Sequence, residues 1–222
     1  MIKTTDKLFE VIVNNIDLLP IVNRFEIKSN IGQKTIANIC TEKQIDAGFF
    51  VSILNTFNSP DYFPPIEKVD LQTLVFFLTN THNYLKNVSI PKLYQLIDEL
   101  KVQNPTDKFI VIIENFFVEY ITNLKKHIEY EEKEIFPLVQ NWSDVKSKKT
   151  SKEIQKLFKQ HENVENEISD LLAIIVQHIP ENTNLQLIHD ILHALSHFEK
   201  EQIDHARFED KILVPKLLEL LK

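Results

Sequence analysis

Two eleven-residue stretches in the second half of the chain, HIEYEEKEIFP (His127–Pro137) and HARFEDKILVP (His205–Pro215), repeat one pattern. Both read His-x-x-x-Glu-acid-Lys-x-aliphatic-x-Pro, so the residue chemistry coincides at six of eleven positions. Four residues along an α-helix rise about 6 Å and turn about 400°, which puts the histidine and the glutamate on one face. Imidazole and carboxylate ligands together suit iron, manganese or zinc, and a carboxylate can bridge two ions. The repeat therefore predicts two helices that each present a His/Glu pair to a metal site.

Two further histidines extend this pattern onto the remaining long helical segments of the chain. In chain order the candidate metal ligands are His82, His127, Glu131, His161, His205 and Glu209. Each half of the set supplies three ligands in the same order, two histidines followed by a glutamate. A lone histidine is usually an ordinary surface or core residue, and a lone His-x-x-x-Glu is usually an exposed pair that contributes a few tenths of a kcal/mol. The matched set favours a metal, because burying several ionisable groups together is costly unless a cation compensates them.

The composition predicts an all-α protein. The 222 residues include only two glycines, Gly32 and Gly48, whereas sheet-rich folds use glycine for hairpin turns and bulges. Apolar residues recur at three- and four-residue spacing through most of the second half. We expect an antiparallel four-helix bundle with helices over residues 70–86, 107–139, 151–178 and from 185 to the C-terminus. Pro91 and Pro105 are expected to separate the first two of these helices, and the longer stretch from Asn87 to Thr106 has room for an extra helical turn around Leu93 to Leu100.

A proline-rich stretch, NSPDYFPP at residues 58–65, predicts a linker, since three prolines in six residues cannot lie inside a helix. The expected domains are a small helical N-terminal domain over residues 1–60 and the bundle over residues 61–222. Within the first domain, helical patterns cover residues 8–19, 21–27, 35–40 and 45–57. Helices this short must pack on one another or on the bundle to be stable.

Charge and cysteine content exclude several classes of protein. The net charge of -7 disfavours nucleic acid, which requires clustered Lys and Arg. No apolar run is long enough to span a membrane, and the N-terminus lacks a signal-peptide pattern. The only cysteine, Cys40, cannot form an intrachain disulfide, which fits a reducing cytoplasm, and we expect it to be a buried small apolar residue.

The ligand-bearing segments resemble the hemerythrin-like proteins, and more closely the repair of iron centres family of di-iron proteins. The family's ligand segments are matched by His82-Asn-Tyr-Leu85-Lys86, by His127 to Pro137, by Gln160-His161 and by Asp204-His205 to Pro215. The resemblance implies a centre of two non-haem iron ions, with Glu131 and Glu209 as the bridging carboxylates and the four histidines as terminal ligands. The family's N-terminal domain is matched by Ile21 to Ile27, Gly32 and Thr35-Ile36. Where many members carry Cys-Cys-Gly-Gly, this chain has Ser29-Asn30-Ile31-Gly32, so no thiol chemistry is expected there.

The resemblance implies a cytoplasmic stress protein that helps to restore iron–sulfur clusters damaged by oxidative or nitrosative stress. Its expected partners are nitric oxide, oxygen and damaged iron–sulfur proteins, and a homodimer is possible through the N-terminal domain. The alternative is a hemerythrin-like protein that binds or senses oxygen or nitric oxide. A metal-free scaffold is a further alternative. Three more histidines, His189, His193 and His197, are expected to form a peripheral stripe or a partner contact.

Overall fold

The computed structural model describes residues 1–28, 31–59, 61–140, 167–180 and 183–220. Every regular element among these residues is helical, apart from an isolated antiparallel bridge between Lys7 and Thr35, so the all-α prediction is confirmed. The described residues of Met1–Thr81, Val139–Lys146 and Arg207–Lys222 form one compact unit. Those of His82–Leu138 and Ser147–Ala206 form the other.

The N-terminal part contains four short helices: α1 (Leu8–Asn14), α2 (Leu18–Asn23), α3 (Ile36–Lys43) and α4 (Ala47–Asn58). The side chains of Thr35 and Asp46 cap α3 and α4 by accepting hydrogen bonds from the backbone N–H groups of Asn38 and Phe49. Helix α1 ends five residues earlier than predicted. Pro20 lies in the first turn of α2, where the missing N–H of proline costs no hydrogen bond.

A chain of aromatic rings forms the core of this first unit. Phe25 packs edge-on against Phe50 at 4.8 Å and stacks on Phe77 at 5.4 Å between ring centroids. Phe208 in turn packs on Phe57 at 5.0 Å and on Phe77 at 5.4 Å. Such pairs add to the stabilisation that comes from burying the rings. Phe208 therefore holds the chain in place immediately before the candidate ligand Glu209.

Three long helical runs follow, and each contains a π-helical turn of five residues. The first comprises α5 (Leu71–Tyr84), the π-turn Leu85–Ser89 and α6 (Ile90–Gln103). The second comprises α7 (Lys108–Tyr130), the π-turn Glu131–Ile135 and α8 (Phe136–Gln140). The shorter α9 (Glu167–His178) precedes the third run, which comprises α10 (Leu185–Phe208), the π-turn Glu209–Leu213 and α11 (Val214–Leu220). The part of the predicted third helix over residues 151–166 lies outside the described residues.

Proline explains where the π-turns lie. Pro91, Pro137 and Pro215 are each the second residue after a π-turn. In a regular α-helix a proline ring clashes with the carbonyl group four residues earlier and removes one hydrogen bond. Here the residue before each proline donates instead to the carbonyl five residues back, as the N–H of Phe136 does to Glu131. The helix widens for one turn and continues, so the predicted break at Pro91 was wrong.

The second unit is built on apolar faces of α6, α7, α9 and α10. Its largest contributions come from side chains that are almost completely buried, among them Leu93, Ile97, Phe117, Tyr120, Ile121, Ile175, Ile191, Leu195 and Phe198. Each such side chain contributes about 1.5–3 kcal/mol on burial, which offsets the ordering of long helices. None of the helices in the described parts of the chain is long and apolar enough to cross a membrane.

Candidate metal centre

Three side chains converge inside the second unit from three different helical runs. His82 lies in the last turn of α5, Glu131 opens the second π-turn and His205 lies in the last turn of α10. All three are buried, and the ligand atoms that they offer lie within 4.8 Å of one another. Buried His and Glu side chains at such distances are a group that can hold a metal ion.

Three ligand atoms have the spacing that a first-row metal ion requires. His82 Nε2 lies 3.1 Å from His205 Nε2 and 3.2 Å from Glu131 Oε2, and His205 Nε2 lies 3.9 Å from the same oxygen. The circumradius of a triangle with these sides is about 2.0 Å, which matches the metal–nitrogen and metal–oxygen distances of about 2.0–2.2 Å known for zinc sites. The residues present therefore fit a divalent ion of this size.

The other oxygen of Glu131 faces a different histidine. His127 Nε2 lies 2.9 Å from Glu131 Oε1, and its side chain is 11% exposed. The two residues are four apart at the end of α7, so helical periodicity alone places them side by side. Glu131 thus turns one oxygen toward His127 and the other toward His82 and His205. The structure groups His82 with His205 rather than with His127, which the order of ligands along the sequence did not indicate.

Of the remaining predicted ligands, Glu209 lies one helical turn after His205, as the first residue of the third π-turn, and it is completely buried. Four residues of helix bring its side chain to the face that carries His205. His161 lies outside the described residues. Both repeated motifs therefore place their glutamate at the same structural position, the first residue of a π-turn. π-turns are rare in proteins, and many of those that are found lie at functional sites.

Glu132, the acidic residue that follows Glu131 in the first repeated motif, supports the centre. Its Oε1 lies 3.1 Å from His82 Nδ1 and 2.8 Å from Lys86 Nζ. The hydrogen bond with His82 is the main cause that lowers the pKa of Glu132 to about 2, and Lys86 lowers it further while burial opposes both. With Nδ1 protonated toward Glu132, the Nε2 lone pair of His82 points to Glu131 and His205. Metal-ligating histidines generally use such a carboxylate to fix the ring and its tautomer.

The remaining histidines among the described residues lie outside this group. His189, His193 and His197 are exposed residues of α10, two to four turns before His205. His178 is the last residue of α9, as expected, and its ring packs on Phe109 at 5.1 Å. Cys40 is completely buried, which confirms the prediction of an apolar role. Burial is the main cause that raises the pKa of its thiol to about 12, with the Asp46 carboxylate adding to the shift.

Comparison with known proteins agrees with this geometry. The hemerythrin HHE cation-binding domain matches residues 63–218, which is most of the chain. No curated protein matches the chain. The match covers every candidate metal ligand, and it confirms the hemerythrin-like helical bundle and a role in metal binding that the sequence predicted. The chain is therefore a member of the hemerythrin HHE cation-binding domain family.

Proposed function

We propose that the protein holds two non-haem iron ions and acts in the repair of iron–sulfur clusters. The proposed ligands are His82, His127, Glu131, His161, His205 and Glu209. The observation that carries the proposal is the position of Glu131, whose two oxygens face different histidines at 2.9 Å and 3.2 Å. A carboxylate in this position is suited to bridge two ions.

The choice of iron rests on the resemblance to the repair of iron centres family, and the ligand set agrees with it. Imidazole and carboxylate ligands without any thiolate suit iron, and bundle cores lined by His and Glu commonly hold two metal ions. Structural zinc sites, by contrast, are closed four-coordinate sites that usually include cysteine. The only cysteine of this chain is buried in the N-terminal part, on α3. Six protein ligands on two ions leave positions at which small molecules such as nitric oxide or oxygen can bind.

Iron–sulfur repair is supported by the resemblance of the N-terminal segment to the repair of iron centres family. The proposed setting is the cytoplasm, and the proposed partners are nitric oxide, oxygen and damaged iron–sulfur proteins, with a homodimer through the N-terminal helices. The chain's own residues would orient the ligands: Glu132 holds the ring of His82, and Phe136 stacks on that ring at 5.4 Å. These contacts keep the histidine in one orientation at the edge of the apolar core.

The metal assignment is tested by iron content. Protein expressed with ample iron should carry about two irons per chain, as expected for a pair of ions that share bridging carboxylates. Glu131→Ala should lose most of this iron, since its carboxylate faces both positions. Glu129→Ala is the matched control, because Glu129 is exposed on the same helix and pairs with Lys133. A stoichiometry near one, a preference for zinc, or equal loss in both variants would contradict the assignment.

The repair role is tested against the alternative of an oxygen or nitric oxide carrier or sensor. The iron-loaded protein should restore activity to an iron–sulfur enzyme inactivated by nitric oxide, and Glu131→Ala should not. A carrier should instead bind oxygen reversibly and leave the damaged enzyme inactive. The carboxylate-rich ligand set favours reactivity over reversible binding, because two glutamates add negative charge that makes the iron easier to oxidise. Reversible oxygen binding, without restored activity of the damaged enzyme, would therefore contradict the repair role and favour an oxygen carrier.

A further inference from the structure

A ladder of ionisable side chains runs along α10 from the protein surface to the candidate centre. Its members are spaced four residues apart, in the order His189, His193, His197, Glu201 and His205. The first three are exposed, Glu201 is 8% exposed and His205 is 7% exposed. Each step rises about 6 Å and turns about 40° around the helix, so each member lies beside the next, while the four steps together turn by about 160°. The ladder therefore passes from exposed to buried side chains in the direction of the centre.

The exposed end of the ladder has the spacing of a metal-binding helix face. Two histidines at positions i and i+4 of a helix can chelate one transition-metal ion, and here two such pairs overlap at His193. The rings of His189 and His193 are stacked at 6.1 Å between centroids. The His189 side chain is 72% exposed, so rotation about its side-chain bonds brings ring nitrogens together without disturbing the core.

A cleft lies beside His197, the last of the exposed histidines. It has a volume of about 250 Å³ and is lined by residues that include Tyr84, Ser89, Lys92 and His197. Ser89 belongs to the first π-turn, and its hydroxyl group lies 3.5 Å from Glu201 Oε2. Glu201 therefore contacts a residue of the cleft lining, and it lies one turn from His197 on one side and one turn from His205 on the other.

We propose that His189, His193 and His197 capture a divalent first-row metal ion at the surface and that Glu201 passes it to the site at His205. The ion keeps its charge throughout, since each step exchanges one coordinating nitrogen or oxygen for the next and no electron is transferred. The surface site depends only on His189, His193 and His197, the exposed members of the ladder. The path to His205 rests on the proposed metal centre.

The surface site is tested by zinc titration of the iron-loaded protein, with calorimetry as the readout and iron release monitored in parallel. The wild-type protein should bind a single additional zinc ion. His193→Ala removes the residue shared by both pairs and should weaken this binding by about tenfold or more, because chelation is lost. His178→Ala, a histidine on another helix, should leave zinc binding unchanged. Zinc titration of Glu131→Ala, in which the centre lacks a proposed ligand, should again detect zinc binding at the surface site.

The path is tested by the rate at which apo protein takes up Fe²⁺ under argon. His193→Ala and Glu201→Gln should load at least about fivefold more slowly than the wild type, whereas the final iron content should be equal. Gln retains the size and the hydrogen-bonding oxygen of Glu201, so a fold defect is avoided. Equal zinc binding in wild type and His193→Ala would overturn the surface site. Equal loading rates would overturn the path, even where two irons bind and the proposed centre stands.

Discussion

Replacing Glu132 by alanine tests whether His82 is held as a metal ligand. The change removes the carboxylate that lies 3.1 Å from His82 Nδ1 and 2.8 Å from Lys86 Nζ. The loss at Lys86 should matter little, because both of these side chains are about one third exposed and water can replace the ion pair. The His82 side chain is 0% exposed, so water does not readily replace the partner of its ring.

The expected magnitude follows from this burial. A buried donor that loses its partner costs about 1–3 kcal/mol, and removal of the carboxylate behind a metal-ligating histidine typically costs about 10- to 100-fold in metal affinity. Since tenfold corresponds to about 1.4 kcal/mol, the two magnitudes agree. We therefore expect Glu132→Ala to weaken iron binding by about 10- to 100-fold, and Glu132→Gln, which retains an acceptor oxygen, to recover most of the loss.

The affinity is measured by competition of the protein with a coloured Fe²⁺ chelator. Glu134→Ala is the matched control, because Glu134 is an exposed glutamate of the same π-turn. Its affinity should equal that of the wild type. If Glu132→Ala and Glu134→Ala bind iron equally tightly, His82 is not positioned by Glu132 and the proposed hydrogen bond to its ring has no role in metal binding.

Three further outcomes are expected. Metal-loaded protein should melt at a higher temperature than apo protein, because an ion that binds only the folded chain adds stability; equal melting temperatures in calorimetry would contradict this. Cys40 should not react with a disulfide reagent at pH 8, because a thiol with a pKa of about 12 is protonated at that pH. In denaturant, where the thiol is exposed, Cys40 should react fully. Reaction of the native protein as fast as free cysteine would contradict its burial. Phe208→Ala should lower the free energy of unfolding by about 3–5 kcal/mol, as measured by urea denaturation, whereas Phe76→Ala, at a ring that is 40% exposed, should cost much less.

The repeated motif made the centre predictable from sequence because its spacing matches the helix itself. His127 and Glu131 are neighbours through helical periodicity alone, so their contact needed no knowledge of the fold. The contact between His82 and His205 joins residues 123 positions apart in the chain, and helical spacing within one segment cannot indicate such a pairing. Glu132 was equally hard to assign, because an acidic residue beside a ligand reads as a solvated position until the packing is known.

The error at Pro91 has a different cause. Proline usually ends a helix, and the sequence between residues 87 and 106 was accordingly expected to be a connection with room for one extra helical turn around Leu93 to Leu100. The chain instead runs as helix to Gln103, because the turn before Pro91 widens. The sequence contained a signal for this. Pro137 and Pro215, which end the two repeated motifs, both lie within segments that were themselves expected to be helical. The expected domain boundary at residue 60 remains a prediction.

The π-turns also make each helical run sensitive to the insertion or deletion of a single residue. A π-turn contains one residue more than an α-turn, and this extra residue lets the helix beyond it resume its former register. Deleting one residue from Leu85–Ser89 would close this turn to a regular α-turn and bring the ring of Pro91 against the carbonyl group four residues before it. The stripe formed by Leu93, Leu96, Ile97 and Leu100 would keep its direction, so the cost would fall on the turn itself. Natural variation in this protein should therefore tolerate substitutions within these turns far better than insertions or deletions.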